Sequence, residues 1–368
     1  MSITFFDELQ KKIARNVKGV HMSVMAQSDI ASISDWIETP SYDLNRILSG
    51  DIHRGIPNRS LVGVVGPEHT MKSSFMILCM AQAQKQGYYP IIIDTERGVE
   101  TDFCKRWGLD TDNAYYIYTP WEDKIRSVLA QLKESNQRKM IIGIDSMGGI
   151  DRYKMYEDAL GGEPKADQGL LQKNIRVLLK LLLNIVIEQE SIAIVTGHMY
   201  GSPSPVPMPD QMGGGKAMRL FPSILINLKK TAIKNSEKEV TGNEITATTI
   251  KNRMYPPFQQ ATVSIDYKEG INPYAGLIPL LIESGIVSVE GNTHYITSTK
   301  EKMGVGVTNA ENKIIKYPKL LDELNVWLKN TGYSNVNAEI EKIVTEMEDV
   351  AEVVEKEVSK SKKRGGKK

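Results

Sequence analysis

Residues 66–74 read GPEHTMKSS, and how they are read decides the fold. Their spacing approaches the phosphate-cradling pattern GxxxxGK[ST], with Met71 standing where the second glycine belongs. The physics asks for less than the pattern: inward-turned backbone N–H groups, a helix starting just after them, a lysine for the phosphate oxygens and a hydroxyl for Mg²⁺. Gly66, Pro67, Glu68, His69, Thr70 and Met71 supply the backbone, Lys72 the cation, and Ser73 with Ser74 the hydroxyls. Met71 is tolerated if its φ is negative and its side chain turns away from the phosphates. Read alone, the stretch also fits an ordinary strand-to-helix turn.

Working outward, the apolar SLVGVV before the stretch predicts a buried strand, and SSFMILCMAQAQ after it a helix. Further apolar runs lacking alternation, YPIIID (89–94), MIIGID (140–145) and SIAIVTG (191–197), are separated by the helical DKIRSVLAQLKES and QKNIRVLLKLLLNIVIEQ. That order predicts an α/β fold with a mostly parallel sheet covered on both faces. Beyond residue 197 the pattern changes. ILINLKKTAI, EITATTIKNR and QATVSIDYK, with turn signals between them, predict an antiparallel extension of the sheet.

The chain divides into residues 1–35, an N-terminal segment; 36–274, the core; 275–333, a small α+β module; and 334–368, an acidic helix followed by the basic tail KSKKRGGKK. Within the first, Thr4 is placed to cap a helix carrying Phe6, Leu9 and Ile13 on one stripe, with nothing of its own to pack on. The length of 368 residues and 41% hydrophobic content suit one large core plus a smaller module. A net charge of +1 leaves any anionic partner to local patches. Cys79 and Cys104 lack metal-ligand spacing and fit a reducing, cytoplasmic compartment. No stretch is long and apolar enough to predict a membrane span.

Three strand ends carry chemistry. MIIGIDS puts Asp145 at the carboxyl edge of the sheet, where a Mg²⁺ held by Ser73 needs a carboxylate partner; a plain solvated strand end is the simpler alternative. IIIDTERG delivers Glu96 to the same edge, placed to polarise a water or, alternatively, to pair with Arg97 or Lys72. TGH sets His198 there, directly before a proline-rich loop.

In that order GPEHTMKSS, IIIDTERGVETDF, MIIGIDS, TGH, MGGGKAMRLFPS and TIKNRMYPPFQQATVSIDYKEGINPYAG resemble the RecA-type DNA recombinases. Among these they are similar to the phage recombinases of the UvsX kind, which also carry a bulky residue at the Met71 position. The resemblance covers residues 36 to about 300. It implies a RecA-like P-loop ATPase core that forms filaments on single-stranded DNA and pairs it with double-stranded DNA. It also implies a homo-oligomer sharing ATP and Mg²⁺ between subunits, assisted by mediator and single-strand-binding proteins.

By the same resemblance Lys72 and Ser73 hold phosphates and Mg²⁺, Asp145 supports the metal, Glu96 activates water and His198 senses the γ-phosphate. Glu100 and Phe103 match the adenine contacts. Lys251 and Arg253 match a basic pair that reaches a neighbour's ATP. One DNA-binding loop falls at residues 152–168, with Arg152, Lys154 and Lys165. The other runs over residues 199–212, with Met199, Met208 and Met212, continued by Gly213, Gly214, Gly215 and Lys216. The enzyme rival is a hexameric RecA-fold helicase; the non-enzyme rival is a mediator that binds DNA without hydrolysis.

Overall fold

In the computed structural model the described residues are 3–135, 137–162, 168–200, 211–234 and 237–331. They fall into two compact units, one from the described residues of 3–49 and 53–275, the other from 50–52 and 276–331.

The first unit opens with helix α1 (Ile3–Asn16), followed by β1 (Trp36–Ile37), α2 (Tyr42–Ser49) and β2 (Ile56–Pro57). Because α1 starts at Ile3, Thr4 lies inside its first turn and not at the capping position expected of it. Phe5 and Phe6 on this helix are exposed.

Next come β3 (Ser60–Gly66), α3 (Lys72–Lys85), β4 (Tyr89–Asp94), α4 (Thr101–Arg106), β5 (Tyr115–Tyr118), α5 (Glu122–Glu134) and β6 (Met140–Asp145). Then follow α6 (Tyr153–Leu160), α7 (Gln168–Glu188), β7 (Ile192–Tyr200), β8 (Gln211–Met212), α8 (Ala217–Leu220), β9 (Ile224–Lys234), β10 (Val240–Asn252), β11 (Gln260–Asp266) and β12 (Gly270–Asn272).

One ten-stranded sheet runs β12-β11-β10-β9-β3-β7-β6-β4-β5, with β8 paired to β7. Strands β9, β3, β7, β6, β4 and β5 are mutually parallel. Antiparallel pairing begins only between β9 and β10 and continues to β12. The expected extension is therefore corrected at its first strand: ILINLKKTAI joins β3 in parallel, because α8 and the segment before it return the chain to the starting edge. Strand β5 was not expected at all.

Every residue of β3 and β6 is buried, as a strand covered on both faces requires. Alternate residues serve opposite layers. Val62 and Val64 pack with Met76, Ile77 and Met80 of α3. Leu61 and Val65 pack with Leu178, Leu179, Leu182 and Ile185 of α7 and with Ile125 and Leu129 of α5. Each such side chain contributes about 2 kcal/mol on burial, so α7 is held by its apolar face.

The second unit contains α9 (Leu277–Glu283), the three-stranded antiparallel sheet β13 (Val287–Glu290), β14 (Thr293–Ile296) and β15 (Lys302–Val305), and α10 (Val307–Glu311). A helix over 319–331 ends its described part. The acidic helix and basic tail of 334–368 lie outside the described residues.

Candidate active site

Strand register sets the site. Asp94, Asp145, Thr196 and Val64 stand at one level across β4, β6, β7 and β3, and His198 pairs with Gly66 two residues further on. The carboxyl edge of the parallel strands thus gathers the loop and the acidic residues.

At Gly66 a Cβ would lie 2.5 Å from the Leu228 carbonyl oxygen, so only glycine lets the loop leave β3 here. Thr70 Oγ1 donates to the Pro67 carbonyl at 2.8 Å, and Lys72 Nζ donates to the same oxygen at 2.7 Å. Pro67, Glu68 and His69 are exposed, whereas Lys72 and Ser74 are buried at the start of α3. Burial pushes the Lys72 ammonium down; Asp145, Glu68 and Glu96 oppose this.

The sequence reading fails at Met71. Its φ is +65° and its ψ 29°, left-handed backbone where a negative φ was expected. His69, at φ +59°, is left-handed too. Each costs about 1 kcal/mol relative to glycine. The loop keeps its shape because side chains hold it.

Ser73 donates a hydrogen bond to the Asp145 carboxylate, and Thr196 Oγ1 donates to Asp145 Oδ1. Burial pushes the Asp145 carboxyl up; those two hydrogen bonds pull it back, while Asp94 and Glu96 push it further up. One hydroxyl and one carboxylate fit Mg²⁺, which takes most of its oxygens from phosphates and water.

Glu96 is exposed and accepts from Ser146 Oγ at 2.6 Å, a partner that neither the expected water-activating role nor its alternative, a pairing with Arg97 or Lys72, had named. Its loop hangs on Asp94, which is fully buried. That carboxylate accepts from Glu96 N (3.0 Å), Gly98 N (3.3 Å), Val99 N (2.9 Å) and the Tyr116 hydroxyl (3.0 Å). Thr95 Oγ1 donates to Ser146 O at 2.8 Å and accepts from Ser146 N at 2.9 Å. Sequence reasoning missed Asp94, Thr95, Ser146 and Thr196. The sequence signal was present only for Asp94, as an acid ending an apolar run.

His198 is half-buried, and its carbonyl accepts from Gly213 N at 2.8 Å. Strand β7 continues to Tyr200 and pairs Met199 with Met212, so the proline-rich segment leaves from a short hairpin. Met212, Gly213 and Gly214 are buried at its base and Lys216 is exposed. Residues 201–210, with Met208, and Lys165 lie outside the described residues. Arg152 is half-buried and Lys154 exposed at the start of α6, a helix within the stretch expected to be a loop.

Glu100, Val99, Thr101, Tyr115 and Tyr116 line a cavity of about 610 Å³ beside this edge. Phe103 is half-buried one turn into α4, its ring 6.4 Å from Trp107 at 75°.

The structure does not bring Lys251 and Arg253 to this chain's own loop. Asn252 is level with Ile224, and Ile224 with Val62, four residues short of Gly66 and two strands across. At about 3.3 Å per residue and 4.8 Å per strand, that is on the order of 15 Å. Lys251 Nζ donates to the carbonyls of Arg219 (3.0 Å) and Leu220 (2.9 Å) at the end of α8. Burial, with Arg253 nearby, pushes its ammonium down. Arg253 is exposed.

A family model described as the RecA N-terminal domain matches residues 7–272. Protein RecA of Sulfurovum sp. (strain NBC37-1) is 31% identical over 281 residues, covering 75% of this chain and 78% of that protein. Protein RecA of Corynebacterium efficiens is 29% identical over 276 residues, 73% and 69% of the respective chains. Protein RecA of Sinorhizobium medicae is 25% identical over 319 residues, 86% and 85%. The matched span holds the loop, the acidic strand ends and the parallel sheet that positions them, and the chain belongs to the RecA family of ATP-dependent DNA recombinases.

Proposed function

We propose that this recombinase polymerises as a helical filament on single-stranded DNA, with ATP and Mg²⁺ bound between neighbouring subunits, and exchanges strands with a homologous duplex. The observation that carries the reading is the separation within one chain between the phosphate loop and the basic pair Lys251 and Arg253. A pair that serves a nucleotide from there serves a neighbour's.

The loop amides of Gly66 and residues 68–71, with Lys72, would hold the triphosphate, and Ser73 with Asp145 would hold Mg²⁺, which supplies charge neutralisation at the transferred phosphoryl group. Glu96, steadied by Ser146, orients a water; its carboxylate accepts that water's proton. Lys251 and Arg253 contribute cations to transition-state charge across the interface, as an arginine finger does. His198 joins the loop edge to the hairpin, so a contact there biases residues 199–216 between DNA-gripping and releasing states.

Arg152, Lys154, Lys165 and Lys216 meet DNA phosphates, and residues 201–210 contact DNA as well. The stripe of α1, with Phe6 exposed and Leu9 and Ile13 half-buried, packs on the next subunit. Met71 supports a place near the phage-type recombinases, and mediator and single-strand-binding proteins assist loading. No helix among the described residues is long and apolar enough to cross a membrane, and we place the protein in the cytoplasm.

Phosphate release with and without single-stranded DNA, read beside electron microscopy of the ATP-bound complex, tests this. DNA-stimulated release with long filaments is expected. Closed rings would favour the helicase, and binding without release the non-hydrolysing mediator.

A further inference from the structure

Met71 holds left-handed backbone that glycine would adopt freely, yet its side chain is not idle. It turns away from the loop into an apolar recess formed by Phe75 and Leu78 of α3 with Leu228, Ile245, Val263 and Ile265 of β9, β10 and β11. Asn243 Nδ2 lies 3.6 Å from Met71 Sδ and donates to the Tyr267 hydroxyl at 2.9 Å. Asn243 is itself buried, and its position is built in: the β9–β10 register breaks between Val240 and Gly242. At Gly242 a Cβ would strike the Ile265 carbonyl. The last residue of the phosphate loop is therefore fastened to the antiparallel part of the sheet, some 170 residues later in the chain.

We propose that Met71 is a positioning residue of the nucleotide site, a clamp that holds the loop in its anion-binding shape by side-chain anchorage in place of glycine's backbone freedom. The clamp acts on binding. Lys72, Ser73, Asp145 and Glu96 do not touch the recess, so the chemical step once nucleotide is seated does not depend on it. It rests on the reading of residues 66–74 as the ATP site.

The opposing account is that methionine is merely endured there. The two accounts predict opposite effects for Met71→Gly, which removes strain and anchor together. Met71→Leu keeps an apolar anchor of similar volume. If the clamp is real, Met71→Gly raises the KM for ATP about tenfold in DNA-stimulated hydrolysis while kcat stays within about threefold, and Met71→Leu stays within about threefold in both.

Hydrogen exchange on the nucleotide-free full chain supplies the second readout. Amides of residues 68–72 should exchange at least about tenfold faster in Met71→Gly than in the natural chain or Met71→Leu. Amides of 61–65 in β3 should stay protected in all three, which shows that each variant is folded. Unchanged loop exchange in Met71→Gly, or a KM equal to or below that of the natural chain, overturns the clamp. Absence of ATP binding by the natural chain would sink the ATP-site reading instead, and the exchange comparison would still decide the clamp.

Discussion

Lys72 is a buried cation whose ammonium turns onto a carbonyl of its own loop, facing three carboxylates that hold part of its charge in place. Replacing it removes a binding cation while leaving the apolar layers untouched. Lys72→Ala should lower kcat/KM for ATP hydrolysis by about 10² or more, with a thermal midpoint no lower than that of the natural chain, checked by phosphate release and calorimetry. The two thiols test burial in another way. Burial pushes Cys79 up to about 12 and Cys104 up to about 11, with Asp94 adding to the latter. Because the folded thiols stay protonated above their ordinary range, their contribution is intact below the unfolded pKa, near 9, and is lost as pH rises through and beyond it. Unfolding midpoints should therefore fall between pH 9 and 11, and a thiol reagent at pH 8 should label neither cysteine until the chain unfolds. At this scale the places of Lys72, Ser73 and Asp145 were legible, since their spacing follows from strand, loop and helix. The φ of Met71 was not, because its partner Asn243 is distant in sequence.

The loop carrying Glu96 stands on Asp94, whose carboxylate gathers three amides and a tyrosine hydroxyl. Asp94→Ala leaves those donors without their acceptor and should cost about 3 kcal/mol of stability. It should also lower kcat more than it raises KM, since Glu96 loses its support while the phosphate loop keeps its own; denaturant titration and steady-state kinetics check both. Buried parallel strands were legible because unbroken apolar runs such as MIIGID have few other uses. Strand β5, YYIY, was not: Tyr115, Tyr116 and Tyr118 are exposed, and among the described residues it pairs with β4 alone. The direction of β9 also escaped, since a strand's partner is set by the path of the chain between them. Helix α1 was legible from Phe6, Leu9 and Ile13, and its exposure in the single chain gives the prediction at this scale. Removing residues 1–17 should abolish long filaments while nucleotide binding persists, as sedimentation with single-stranded DNA and ATP would report.

For the whole molecule, a net charge of +1 supplies no general attraction to DNA, so the grip must come from local groups, the role proposed for Arg152, Lys154 and Lys216. The proposed mechanism makes one demand on the assembly: a second copy of the chain must complete the catalytic site. Arg253→Ala alone should cut DNA-stimulated hydrolysis by on the order of 10³, while ATP binding to the isolated subunit barely changes. Lys72→Ala subunits keep the basic pair, and Arg253→Ala subunits keep the phosphate loop. The most direct measurement is therefore phosphate release from an equimolar mixture of the two on single-stranded DNA, with fluorescent labels confirming that both enter the same filaments. Complementary neighbours rebuild complete sites, so the mixture should recover a substantial part of the natural rate, well above either parent. A mixture that co-assembles yet hydrolyses no faster than its parents would contradict the shared site.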